Sequence, residues 1–328
     1  MNPRSSSSGS ALLTAMLVIA MVAALSTVAL WQLWRHVSVQ SLSQHSRQNQ
    51  WLLVGALDWG RIILREDARL NPIDHGGEPW AMPLQATSLR PFLANPTGAG
   101  GTTATPESPE SSINPADEVQ LAGRITDAQS KFNLHDVAMG QEQAFRTWKK
   151  MFALLNLPEA QAEQALVQWS AARNQTPQAP LMPQRLAQLS WLGLPPSTLQ
   201  RLAPHVVFLP TPAALNLNTA TPEVISAVTG VPLAQARRWA IQRQTRPAES
   251  VEEVAQFFGS AAAQWPAAQL SVRSQWFDIQ GQLIRSDVSL QASGLIRRQD
   301  LSVRLQRLQF EPIPASSPAA TTAISTIP

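Results

Sequence analysis

Apolar residues dominate the chain from Ala11 to Trp34, and no charged side chain occurs between Ser5 and Trp34. A helix over these 24 positions rises about 36 Å, enough to cross a hydrocarbon core of about 30 Å. Trp31 and Trp34, followed by Arg35, form an interfacial belt at its end. Beyond Arg35 the pattern turns amphipathic: Leu52, Ala56, Trp59 and Ile63 recur at steps of four, three and four, which predicts one buried helical face. Asn71-Pro72 stops the helix, because a residue before proline disfavours the α region. The spacing thus predicts a single helix from about Ser10 to Leu70, roughly 90 Å long, with its first half in lipid and its second half in water. A cleaved signal peptide is the simpler alternative, but the apolar run exceeds the usual h-region of about 7–15 residues.

Val119, Leu121, Gly123 and Ile125 alternate with polar neighbours, so a strand is predicted there. Asp127-Ala128-Gln129 turns it, Phe132 and Leu134 begin a second extended piece, and His135-Asp136 reads as a solvated turn. From Glu142 to Phe258 the period is helical, in short pieces cut by prolines, with apolar faces at Trp148, Phe152, Leu155, Ala165, Trp169, Leu186, Leu189 and Leu192. Thr221 is an expected N-cap with Pro222 at N1, Gly230 an expected left-handed C-cap, and Ser250 with Glu253 a capping box. These signals give a helix-hairpin-helix arrangement over 215–259. Alternation returns at Phe277, Ile279 and Gly281, at Val288, Leu290 and Ala292, and at Leu301, Val303 and Leu305. It then slips to Leu308 and Phe310, which marks a bulge or a strand end. The Pro/Gly/Ser/Thr-rich segment Asn95–Asp117 and the tail from Pro312 cannot bury enough apolar area to order themselves.

Composition narrows the chemistry. The net charge is +3, and the pI near 10 reflects the scarcity of lysine and the absence of tyrosine and cysteine rather than a basic surface. Zero cysteines exclude disulfides, thiolate metal sites and thiol nucleophiles. The five histidines fall in separate segments, and neither a phosphate loop nor a GxSxG elbow is present. Acidic pairs such as Glu66-Asp67 and Glu252-Glu253 read as solvated helix surface and cap charge. Arg237, Arg238, Arg243 and Arg246 beside the hairpin raise a DNA-binding alternative, although Pro232 removes one amide from the loop Thr229-Gly230-Val231-Pro232. A plain single-pass membrane scaffold is a third reading.

A short polar leader ending in Gly9, then Ser10 and an apolar stem, resembles the class III leader of type IV pilins and type II secretion pseudopilins. The resemblance implies that a prepilin peptidase cuts between Gly9 and Ser10 and methylates the new amino terminus. Most members carry Glu at the fifth mature position, whereas this chain has Thr14, and that departure points to the K minor pseudopilin at the fibre tip. The stretch containing Gly123, Arg124, Ile125, Asp127, Lys131, Phe132, Asn133 and Leu134 resembles the K pseudopilins, as does Leu215-Asn216-Leu217-Asn218-Thr219-Ala220. K pseudopilins typically bind calcium in an acid-rich part of the helical domain. Here Gln164–Pro222 holds no Asp or Glu, so that site, and any cofactor with it, is expected to be absent.

The resemblance implies an α+β fold: a long N-terminal helix, transmembrane then periplasmic, a small antiparallel β-sheet head, and a large inserted all-α domain. The expected segments are a leader (1–9), a transmembrane stem (10–34), its periplasmic continuation (35–70), a loop with the first head strands (71–137), the helical insert (138–268), the last strands (269–311) and a disordered tail (312–328). It also implies a non-enzymatic inner-membrane protein that partners the I and J minor pseudopilins, other pseudopilins and the assembly platform to initiate the pseudopilus. Small stem residues Ala11, Ala15 and Ala23 are the expected packing positions, since they let helices approach in lipid.

Overall fold

The computed structural model describes residues 8–88, 119–263, 265–284 and 289–313; side chains are described except at 8–11, 33, 36–46, 267, 312 and 313. The segment Asn95–Asp117, the tail beyond 313 and most of the leader lie outside the described residues. The chain divides into two compact units, Met1–Leu52 and Leu53–Pro328. The expected sheet head and helical insert therefore fall within one unit.

Helix α1 (Ser8–Leu70) ends one residue before Asn71-Pro72. In the first unit its segment Leu12–Gln32 is long and apolar enough to cross a membrane, the one such helix among the described residues. Thr27 Oγ1 donates to Ala23 O at 2.8 Å, which satisfies a hydroxyl that lipid could not. The Arg35 guanidinium sits 5.6 Å from the Trp31 ring centroid, within the expected belt.

The second unit is built on a five-stranded antiparallel sheet in the order β1 (Leu84–Ser88), β2 (Gln120–Asp127), β7 (Trp276–Ile284), β8 (Ser289–Gln299), β9 (Ser302–Ile313). Strands β7, β8 and β9 form a meander, while β2 and β7 are sheet neighbours with the helical block between them in sequence. The slip in alternation is real: Leu295 faces Arg307 while Ile296 faces Leu305, which leaves Gln306 as the extra residue of a bulge. Strand β9 runs on to Ile313, two residues into the expected tail, whereas Leu301 falls in the turn before it.

The buried face of α1 in this unit is not the expected one. Leu53, Leu57, Gly60, Leu64 and Asp67 are buried, while Trp59 is 47 % exposed and Leu52, Ala56 and Ile63 are half-buried. The face rotates by about one residue because the sheet selects for close approach. A Cβ at Gly60 would lie 2.3 Å from Ile279 Cδ1, and one at Gly281 would lie 3.4 Å from Leu53 Cδ2. Gly281 itself faces Gly123 across β7 and β2, so the sheet is bare where the leucines land. The expected face, including Trp59 and Ile63, lines an apolar groove with Trp80 and Met82 instead.

Between β2 and β7 the helices are α2 (His135–Ala138), α3 (Glu142–Leu154), α4 (Glu159–Arg173), α5 (Pro196–Leu202), α6 (Pro222–Thr229), α7 (Leu233–Thr245) and α8 (Val251–Phe258), with a 3-10 segment at Leu186–Leu192. The first of them replaces the expected turn at His135-Asp136. One continuous apolar core holds Trp148, Phe152, Ala165, Trp169, Leu189 and Leu192, with Leu155 and Leu186 packed against it. Trp148 and Trp169 meet edge-on at 5.3 Å, and burying each such ring contributes about 2–3 kcal/mol.

Two small parallel pairs pin this block: β3 (Phe132–Asn133) to β4 (Val206–Val207), and β5 (Leu215–Asn216) to β6 (Leu270–Ser271). The piece at Phe132 thus pairs outside the main sheet and has only two residues in strand. Gly230 caps α6 with φ +86°, and Glu253 N donates to Ser250 Oγ at 3.2 Å, while the Glu253 carboxylate accepts from Glu249 N at 2.9 Å, one residue before the N-cap amide that a reciprocal box engages. Thr221 stands at the N-cap but makes no side-chain cap bond; its hydroxyl lies 3.1 Å from His205 Nδ1, a partner far in sequence.

Replacing Gly60 by Leu should destabilise the folded state by about 1–3 kcal/mol through overpacking against Ile279. Gly55→Ala, where nothing lies within 4 Å, should stabilise by about 1 kcal/mol through helix propensity. Urea midpoints of the two variants check the pair.

Candidate functional site

The positions singled out in the sequence converge on a buried polar clasp at the end of β2. Asp127 is 4 % exposed. Its Oδ2 accepts from Asn216 Nδ2 at 2.9 Å, Thr219 Oγ1 at 2.5 Å and Ser274 Oγ at 2.6 Å. Its Oδ1 accepts from Gln129 N at 2.7 Å, which caps the turn Ala128–Ser130. Asn216 Nδ2 also reaches Asp74 O at 3.1 Å and Ser274 Oγ at 3.0 Å. One carboxylate thus joins the sheet, the start of the hairpin region and the link between β6 and β7 that leads back to the sheet. Burial pushes its carboxyl up to about 6 although Ser274, Thr219 and Gln129 all bind it.

The neighbouring amides extend the clasp. Asn218 Nδ2 donates to Ala248 O at 2.9 Å while Ala248 N donates to Asn218 Oδ1 at 3.0 Å, so the side chain pairs with backbone as a strand would. Asn133 Oδ1 accepts from His135 N and Leu209 N, and its Nδ2 donates to Thr211 O at 2.9 Å. Gln129, expected only as part of the turn after β2, donates to Ala214 O at 2.6 Å and accepts from Gln275 N and Trp276 N. Phe132, Leu134 and Ala220 fill the apolar core beside them. Gly123 and Arg124 lie on β2 away from the clasp, in the sheet that receives α1.

Beside the clasp sits a charged junction that the sequence did not reveal. Asp67, read as solvated helix surface, is 7 % exposed and accepts from Arg298 Nη1 at 2.9 Å. Arg298 Nη2 donates to Asp74 Oδ1 and, at 2.9 Å, to Ser274 O, while its guanidinium lies 4.6 Å from the Phe277 ring centroid. Ser274 N returns a bond to Asp74 Oδ2 at 2.7 Å. Glu78 Oε2 accepts from His75 N at 2.9 Å and Trp80 Nε1 at 2.7 Å. Burial pushes Asp74 upward, and Glu78 up to about 7. Among the described residues, Asp67, Asp74 and Glu78 form the one cluster of acidic or histidine side chains compact enough to surround an ion. A signal was present in the Arg297-Arg298 pair on a strand, where alternation sends one guanidinium inward.

Three of the four hairpin arginines face inward or pair locally, while Arg238 is exposed. Arg243 Nη1 donates to Leu217 O at 2.7 Å, as does Trp239 Nε1 at 2.9 Å. Arg237 and Arg246 pair with Glu223 and Glu253. In the loop, Gly230 N donates to Ser226 O at 3.1 Å and Val231 N lies 3.4 Å from Thr229 Oγ1, so its amides are engaged within the chain. In the first unit Gly9 and Ser10 occupy the first turn of α1; Thr14, Ala15 and Ala23 are exposed along it, and the side chain of Ala11 lies outside the described residues.

Comparison with known proteins follows the same residues. A family model described as type II secretion system (T2SS), protein K, matches residues 215–273, from β5 through the hairpin helices to the strand before Ser274. A Pseudomonas aeruginosa protein described as type II secretion system protein K is 23 % identical over 335 residues, covering 93 % of this chain and 90 % of that protein. A chain in the crystal structure of the GspK-GspI-GspJ complex from the enterotoxigenic Escherichia coli type 2 secretion system aligns with a TM-score of 0.61 and 17 % identity, over 82 % of this chain and 98 % of that one.

Asp127→Ala, which strands buried donors, should cost about 3–5 kcal/mol of stability. The pH dependence has a defined sign. With its folded pKa raised from 3.8 to about 6, Asp127 keeps a proton that the unfolded chain has released. Its contribution is therefore greatest below about pH 4 and is lost as pH rises through 6, by on the order of 3 kcal/mol. The difference in urea stability between wild type and Asp127→Asn should follow that curve and be flat above pH 7; a constant difference from pH 4 to 7 would contradict it.

Proposed function

We infer, on the premise that this chain belongs to the type II secretion system protein K family, that it works as a minor pseudopilin anchored by α1 with its sheet-and-helix head in the periplasm. The observation that carries the inference is the family match over 215–273, because that stretch supplies half of the clasp and all of the hairpin helices. An anchor-length apolar helix at the N-terminus supports it independently. Prepilin peptidase would cut between Gly9 and Ser10 and methylate Ser10. The stem would then pack through small residues such as Ala11, Ala15 and Ala23. Thr14, in place of the carboxylate that pairs with a subunit above, suits a position with no subunit above.

The solved relative is a complex of GspK with GspI and GspJ, which supports the I and J minor pseudopilins as partners in initiating the fibre. The other pseudopilins and the inner-membrane assembly platform follow from the same role. The work is mechanical and needs no reaction: stems associate in the membrane, and a rigid head presents its surface outside. The DNA-binding alternative loses its footing because the hairpin amides and three of its arginines are engaged within the chain.

Mature protein from a host with an active prepilin peptidase should begin at Ser10, and a start near Leu30 would identify an ordinary signal peptide instead. Co-expressed with the I and J minor pseudopilins, the full chain should recover both from detergent extracts; recovery of neither by a folded chain would contradict the assignment.

A further inference from the structure

We propose that a calcium ion binds at the C-terminal end of α1, held by the carboxylates of Asp67, Asp74 and Glu78. Three buried acids here share one cation: Asp67, Asp74 and Glu78 are 7 %, 1 % and 3 % exposed, and Arg298 is the only basic side chain that pairs with any of them among the described residues. The fully ionised cluster carries two uncompensated negative charges, a state that a buried site does not tolerate without a partner. The oxygens are unequally engaged. Asp67 accepts from Arg298 Nη1 and Asn71 Nδ2, Asp74 from Arg298 Nη2 and Ser274 N, and Glu78 Oε2 from His75 N and Trp80 Nε1. Glu78 Oε1 is buried and accepts nothing. A divalent ion supplies both the missing charge and the missing partner.

The donor set selects the metal. All three ligands are hard oxygens, and one oxygen from each lies within 4.8 Å of the other two. Calcium accepts six to eight oxygens in flexible geometry, whereas magnesium demands near-ideal octahedral geometry and gives up its waters reluctantly. Water completes the coordination. The site is separate from the acid-free stretch Gln164–Pro222 of the helical block, and it fastens the loop after α1 to β8 through Arg298.

The full chain in detergent micelles tests this. Calcium at about 1 mM should raise the thermal midpoint by several degrees over excess chelator, and magnesium should not. Terbium should bind in one equivalent, emit through Trp80, whose indole nitrogen lies 2.7 Å from Glu78 Oε2, and be displaced by calcium. Glu78→Gln, which keeps an acceptor for Trp80, should abolish both the calcium shift and the terbium emission. Equal midpoints in calcium and chelator without sensitised emission, an equal rise with magnesium, or a full calcium response in Glu78→Gln would each overturn the proposal. If that variant does not fold, the wild-type terbium titration and its competition by calcium decide the matter alone.

Discussion

The second unit depends on keeping a carboxylate under cover at the end of β2. Asp127 is the last residue of that strand, yet its four donors come from the following turn, from the hairpin region and from the link that leads into β7. A helical block placed between two adjacent strands must enter and leave the sheet close together, because β7 pairs with the whole length of β2, from Gln120–Ile284 to Asp127–Phe277. Opening that gap would leave Asp127 buried without partners, at several kcal/mol. The sheet and the helices are thereby made to fold together.

Close approach of α1 to the sheet is the second constraint. Gly281 removes a side chain where Leu53 and Leu57 descend, Gly60 lets the helix backbone approach Ile279, and Asp67 then meets Arg298 at the end of the same face. Leucines packed on glycine and a buried ion pair thus fix the last part of α1 to the sheet. Trp59 and Met82, turned away from the core, leave an apolar strip beside it.

Much of this could be read before any coordinates. The apolar helix of membrane-spanning length, the end of α1 before Pro72, the cores of the short helices, the Ser250 and Gly230 caps and the bulge after Leu305 all follow from local rules of periodicity and capping. What escaped is what depends on partners far apart in sequence. Asp67 looked solvated because its helix face is polar locally, and only Arg298, 231 residues away, explains its burial. Trp59 and Ile63 make the more conspicuous apolar stripe, but periodicity does not weigh how closely a glycine lets two backbones approach. Asp127, Asn216 and Thr219 were found as motif letters, and their joint purpose emerged only when Ser274 stood beside them.

The central claim is that the clasp makes the helical block and the sheet one cooperative unit. Native-state hydrogen exchange on the full chain measures this directly, comparing the amides of Trp169, Val224 and Ile225 in the helices with that of Ile279 in β7. The account predicts one shared opening free energy, equal to that of global unfolding. Helical amides that exchange through an opening about 2 kcal/mol or more below that of Ile279 would show that the block unfolds without the sheet, and would contradict it.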